Sequence, residues 1–189
     1  MQAIFNGDAA VLRQTRLSPN CWKITLSLPS AEPVTAGQFC HIQVDTGSDP
    51  LLRRPFSYWD VRPAGAAREV DLLYTVVGRG TELLARKQPG EKVGFLGPLG
   101  VGFTPKPDAP AWIFVAGGVG IVPFYFFAKQ ARAAGIRARM ILLFGGRTRS
   151  MLYGIDEFPA LGVEAVAATE DGSLGERGLV TKLLEDRPD

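Results

Sequence analysis

Apolar positions in the first half of the chain recur with a period near two, in short runs separated by Pro, Gly and Asp. The runs at 11–16, 21–28, 38–44, 56–61, 70–76 and 92–96 predict β-strands, and their spacing predicts a small antiparallel β-barrel. One brief helix is expected at 82–87, opened by Gly80-Thr81 and closed by Gln88-Pro89-Gly90. From 104 to 110 the sequence Thr-Pro-Lys-Pro-Asp-Ala-Pro resists both helix and strand pairing, which marks a linker. Beyond it the rhythm becomes strand (112–116), helix (122–134), strand (139–144), short helix (153–158), strand (163–168) and a last helix (179–185). Such alternation predicts an α/β domain with a parallel sheet. The expected organisation is therefore a β-barrel domain at 1–104 and an α/β nucleotide-binding domain at 105–189. With only three strands and a terminal helix, the second domain reads as incomplete at its C-terminus.

Composition narrows the function. A chain of 189 residues with formal net charge +2 and dispersed Lys and Arg offers no basic stripe for nucleic acid or an anionic membrane. Residues 111–128 carry no charge, but Gly117, Gly118, Gly120 and Pro123 argue for a strand, a turn and a helix in place of a membrane span. Cys21 and Cys40 are too few and too far apart for a zinc or iron–sulfur site of their own. They suggest a reducing compartment, and the N-terminal residues show no secretory pattern, so the cytoplasm is expected. The single histidine, His41, lies in an apolar strand, and no nucleophile, base and orienting acid assemble for hydrolysis. Trp22, Trp59 and Trp112 read as packing residues.

Arg54-Pro55-Phe56-Ser57 places a fixed cation, a rigid bend, an aromatic face and a hydroxyl within four residues at a strand entrance. A flavin dinucleotide uses all of these: guanidinium on pyrophosphate, ring beside the isoalloxazine, serine at the flavin edge. The same four residues also suit an ordinary strand start with a buried Phe. Gly80 and Thr81 begin a helix whose first-turn amides can hold a phosphate, although Thr81 can equally be a cap. Leu73, Tyr74 and Thr75 on the preceding strand can line a flavin or fill the barrel core. In the second half, strand 112–116 runs into Gly117-Gly118-Val119-Gly120-Ile121-Val122-Pro123, a strand–glycine turn–helix arrangement that suits a nucleotide diphosphate. Gly145-Gly146-Arg147 and Thr169-Glu170-Asp171-Gly172 follow the next two strands, at the carboxyl ends where open sheets bind ligands. Glu170 or Asp171 can accept hydrogen bonds from ribose hydroxyls and repel the extra phosphate of NADP, while Asp171-Gly172 is also a common turn.

Taken in this order, the motifs resemble the ferredoxin-NADP reductase superfamily. Arg54-Pro55-Phe56-Ser57 matches its arginine, any residue, aromatic, serine signature, and Gly118 to Pro123 matches its nucleotide turn ending in proline. More narrowly, Gly80-Thr81, Leu96-Gly97-Pro98-Leu99-Gly100 and the segment from Ala168 to Ser173, with Gly175 and Gly178, look like the electron-transfer subunits of bacterial dihydroorotate dehydrogenases. The resemblance implies FAD at Arg54 to Ser57, Leu73 to Thr75 and Gly80-Thr81, and NAD at Gly117, Gly118, Gly120, Gly145, Arg147, Glu170 and Asp171. Thr75 departs from the basic residue often found there. It also implies a hetero-oligomer in which electrons pass from NADH through FAD and a [2Fe-2S] cluster to an FMN-containing catalytic subunit of pyrimidine biosynthesis. That family continues into a further strand and a four-cysteine segment, and this sequence holds no such ligands, so truncation or loss of that module is expected. Three alternatives compete: a free-standing NAD(P)H flavin reductase, an electron-transfer subunit of another redox complex, and a non-catalytic flavin-binding or interaction module.

Overall fold

The computed structural model describes residues 3–45, 51–106 and 109–185. Residues 107 and 108 of the predicted linker lie outside the described residues. The chain divides into two compact units, Met1–Phe103 and Thr104–Asp189.

The first unit is a closed antiparallel barrel of β1 (Phe5–Arg16), β2 (Cys21–Leu28), β3 (Phe39–Gln43), β4 (Arg54–Ala64), β5 (Ala67–Thr75) and β6 (Lys92–Leu99), in the order β1-β2-β5-β4-β3-β6. Alternation along the strands fills it: Ile24 pairs with Leu72 and Leu26 with Val70, and all four are buried. Bulges at Val11/Arg13, Phe39/His41 and Tyr58/Asp60 give the strands the bend that closure demands. The first strand begins six residues before the hydrophobic signal, because Phe5 to Ala10 pair with Gly97 to Lys92 of β6 and so seal the barrel. Among the described residues, closure leaves the barrel no open strand edge. Among the described residues both thiols are buried; burial pushes Cys21 up to about 12 and Cys40, beside the Tyr58 hydroxyl, well above the ordinary thiol range.

Outside the barrel wall, Arg62 Nη1 donates to Asp60 (2.7 Å) and Asp71 (2.8 Å), and Thr25 Oγ1 donates to Asp71 (2.7 Å). Burial alone would raise the Asp71 carboxyl, but Arg62 and Thr25 hold it below its ordinary range.

Helix α1 (Arg79–Arg86) connects β5 to β6 and starts three residues earlier than the sequence pattern predicts. The Thr81 hydroxyl explains the early start. It accepts from the Val77 (3.0 Å) and Gly78 (3.2 Å) amides and donates to the Gly78 carbonyl (2.8 Å), drawing the approach loop onto the helix.

The second unit holds a four-stranded parallel sheet, order β10-β9-β8-β7: β7 (Ala111–Gly117), β8 (Arg139–Gly146), β9 (Val163–Thr169) and β10 (Glu176–Arg177). Helix α2 (Val122–Ala133) crosses from β7 to β8 and packs through aromatic rings, Phe114 stacked on Phe124 at 5.1 Å and edge-on to Phe127 at 5.6 Å. The other face buries Ile141, Leu143 and Ala168 under Val180 and Leu183 of the C-terminal segment.

Three expectations are corrected here. The helix expected at 153–158 is a succession of 3₁₀ turns at Arg149–Met151, Ile155–Glu157 and Pro159–Leu161. Gly154 at φ 67° and Pro159 interrupt any longer helix. The last helix spans only α3 (Lys182–Glu185), because Gly178 at φ 138° and the packing of Val180 hold the preceding residues off helical geometry. The sheet has a fourth strand, since Glu176 and Arg177 pair in parallel with Ala168 and Thr169. No helix among the described residues is long and apolar enough to cross a membrane.

Candidate functional site

In the barrel, Arg54 to Ser57 open β4 and pair with Ile42 to Phe39 of β3. The pleat sends Arg54 and Phe56 to one face and Pro55 and Ser57 to the other. Phe56 is 9% exposed and meets Tyr74 edge-on at 5.7 Å, so the two aromatics form one wall across β4 and β5. Burial raises the Tyr74 phenol to about 12, which keeps it a neutral donor. Leu73, buried, and Thr75, half-buried, lie on the opposite face of β5 from Tyr74.

Arg54 reaches from β4 to the start of α1. Its guanidinium lies so close over Gly80 that a Cβ there would sit 2.9 Å from Cζ and 3.1 Å from Cδ, and nearer still to Nε. Only glycine admits this approach. Arg54 Nη1 also donates to the Leu52 carbonyl at its own strand entrance. The first bond inside the helix runs from the Glu82 amide to the Gly78 carbonyl at 2.9 Å, so the Gly80 and Thr81 amides precede the intrahelical ladder. A cation and a helix N-terminus thus converge on one spot, which is the chemistry of a phosphate group. The structure brings Arg54, Gly80 and Thr81 together there, and Phe56 with Tyr74. The Thr81 hydroxyl orders the loop, leaving the anion-binding role to its backbone amide.

In the second unit the carboxyl ends of β7, β8 and β9 open on a cleft of about 330 Å³, at the small end for a ligand site. Gly117, Gly118, Gly145, Arg147 and Glu170 line it. Gly118 takes φ 52°, a conformation that suits glycine, and turns β7 into the 3₁₀ turn Gly118–Ile121 that leads to α2. Gly120, exposed on that turn, is not among the lining residues. Glu170 and Asp171 are separated in role. The Asp171 carboxylate accepts from the Ser173 hydroxyl (2.6 Å) and amide (2.9 Å), and these bonds hold it below its ordinary range. Glu170, anchored by its amide on the Gly146 carbonyl at 3.1 Å, remains as the acid of the cleft.

Sequence reasoning passed over two groups of residues. Leu179, Val180 and Thr181 form a wall of the nucleotide cleft, together with Gly178, which the motif included without a site role, and they are brought there when Glu176 and Arg177 join the sheet. A Cβ on Gly145 would lie 2.7 Å from the Val180 Cβ, so Gly145 is glycine to let this wall close in. Gln14 of β1 is the other. Its side-chain amide donates to the Leu84 carbonyl of α1 at 2.6 Å and meets the Tyr74 hydroxyl at 3.4 Å. The available signal was a polar side chain opposite buried Ile24 in an inward register.

Among the described residues no three His, Cys, Asp or Glu side chains gather as a metal site. Cys21 and Cys40, on separate strands of the barrel, do not fit the four thiolates that a [2Fe-2S] cluster requires.

No family model matches the chain. It is 37% identical over 185 residues to the dihydroorotate dehydrogenase B (NAD(+)) electron transfer subunit of Desulforamulus reducens, covering 96% of this chain and 68% of that protein. It is 39% identical over 181 residues to the subunit of the same name from Bacillus caldolyticus, covering 94% of this chain and 68% of that one. Among solved structures it is similar to the cytochrome P450 reductase GcoB of Amycolatopsis, with TM-score 0.83 and 23% identity over 100% of this chain and 60% of that one. An NADH-dependent reduced ferredoxin-NADP oxidoreductase gives TM-score 0.81 and 23% identity over 96% of this chain and 64% of that one. At these identities the two structures establish the fold alone. The chain spans less than two thirds of their length.

Proposed function

The chain belongs to the family of dihydroorotate dehydrogenase B electron transfer subunits, and on that basis we propose that it passes electrons from NADH through FAD toward an FMN-containing dihydroorotate dehydrogenase catalytic subunit, as one component of a hetero-oligomer in pyrimidine biosynthesis. We assign FAD to the barrel domain, 1–104, and the nicotinamide nucleotide to 105–189. The cytoplasm is the proposed location.

The observation that supports the reading is the Arg54 guanidinium seated against Gly80 at the start of α1, a cradle that any larger residue at position 80 would fill. Arg54 and the Gly80 and Thr81 amides would hold the pyrophosphate and Phe56 and Tyr74 would supply an aromatic wall for the ring system, while Ser57, on the other face of β4, is assigned its polar edge from the family signature. Leu73 and Thr75, on the other face of β5, are assigned to the flavin site from the family resemblance. When bound, FAD supplies the exchange of a hydride for single electrons. In the second domain Gly117, Gly118 and Gly145 let the backbone approach a diphosphate, with Gly120 and Arg147 beside it. Glu170 accepts hydrogen bonds from the ribose and opposes a 2′-phosphate, which favours NADH. Asp171 acts through its turn with Ser173, which fixes the loop that carries Glu170.

The test is anaerobic addition of NADH to the FAD-loaded protein. Loss of the visible flavin band is expected, with NADPH much slower. An unbleached flavin overturns the proposal.

A further inference from the structure

Helix α1 is fastened to the barrel at both ends. At its start, Arg54 from β4 lies over Gly80. At its far end the Leu84 carbonyl belongs to the last turn, where helix geometry leaves acceptors without intrahelical partners. It receives the Lys87 amide at 3.2 Å and the Gln14 side-chain amide at 2.6 Å. The Gln14 amide group also faces the Tyr74 hydroxyl, 3.4 Å from both its nitrogen and its oxygen. Tyr74 in turn meets Phe56. One side chain on β1 therefore contacts the helix whose start forms the phosphate end of the site and the tyrosine that forms its aromatic end. Leu84 and Tyr74 are buried and Gln14 is half-buried, so water competes little for these bonds.

We propose that Gln14 is a positioning residue that sets the spacing between the phosphate-binding start of α1 and the Phe56–Tyr74 wall, and so selects a flavin dinucleotide over a flavin that lacks the pyrophosphate. The inference rests on the reading that FAD lies on this barrel. A ligand that engages both ends senses their separation. Riboflavin, which engages the aromatic end alone, does not. Gln14 touches neither end of the ligand itself and acts through α1 and Tyr74.

The apoprotein is titrated with FAD and with riboflavin, followed by flavin fluorescence, in wild type and in Gln14→Met, which keeps the length of the side chain and removes its donor. The expected result is FAD binding weakened about tenfold, the loss of one buried hydrogen bond, with riboflavin affinity unchanged within about twofold. A shift in the visible flavin absorption of the FAD complex should accompany it. Gln14→Glu keeps the shape but turns an acceptor toward the Leu84 carbonyl, and should give the same selective loss if the Met variant does not fold. Equal weakening of FAD and riboflavin, or an unchanged ratio of the two in folded variants, overturns the proposal. Wild-type protein that takes up neither flavin overturns the flavin reading itself, and the proposal with it.

Discussion

Gly80→Ala isolates the anion end of the barrel site. An added methyl would stand 2.9 Å from Arg54 Cζ and 3.1 Å from Cδ, whereas ordinary contacts lie at about 3.5–4.0 Å. The guanidinium must therefore retreat by about an ångström. The retreat is cheap for the fold, because Arg54 is half-buried and flexible and because alanine is favoured over glycine in a helix by about 1 kcal/mol. Melting temperature should stay within a few degrees. Ligand binding should not: a displaced guanidinium loses its charge-assisted hydrogen bond to the pyrophosphate, worth about 1.5–3 kcal/mol. FAD affinity should fall about 10- to 150-fold, at about 1.4 kcal/mol per factor of ten. Fluorescence titration with FAD reads the effect, and riboflavin serves as the control. Arg54→Gln should cost a similar amount, and the double variant little more than either single one, because both remove one interaction. A folded Gly80→Ala protein that binds FAD as tightly as wild type, or two losses that simply add, would refute the reasoning.

Three further expectations concern stability. Arg132 donates to the Leu161, Gly162, Ile136 and Ala138 carbonyls at 2.8, 3.1, 2.9 and 3.1 Å. Arg132→Ala should cost the second unit about 2 kcal/mol and lower its thermal midpoint by about 10 °C in calorimetry, and lysine should recover only part of it. Gly175, at φ 67°, would place a Cβ 2.6 Å from the Ala167 carbonyl carbon. That neighbour is backbone and cannot rotate away, so Gly175→Ala should cost about 3 kcal/mol or more and abolish NADH binding in calorimetric titration. Asp71 has a folded pKa below its ordinary 3.8. Its stabilising contribution is present above that value and is lost as pH falls through the lowered one. Asp71→Asn should thus be less stable than wild type at neutral pH, with the difference closing in acid melts.

The barrel was legible wherever alternation was strong, as in Cys21 to Leu28. It was illegible at Phe5 to Ala10, where small and polar residues become strand only because β6 needs a partner to close the ring. Glu176 and Arg177 carried no signal either, being two exposed residues whose strand character comes wholly from β9 beside them. Tyr153 and Phe158 misled for the opposite reason: these buried aromatics pack into the core from the links between successive 3₁₀ turns, with Gly154 resetting the chain between them. Glycines in the candidate site could be read in advance, since a tight turn or a close approach has few other solutions. What those glycines make room for could not: Arg54 lies 26 residues from Gly80, and Val180 lies 35 from Gly145. Gln14 was hidden in the same way, its partners Tyr74 and Leu84 being distant in sequence.

The buried thiols have a practical consequence. Peroxide and maleimides react with thiolates, and Cys21 and Cys40 stay protonated and shielded at neutral pH. A reduced flavin that leaks electrons to dioxygen makes peroxide beside its own protein, and these two sulfurs offer that oxidant little purchase. A single cysteine introduced on the surface would accordingly take a spin label or fluorophore without prior removal of the native pair.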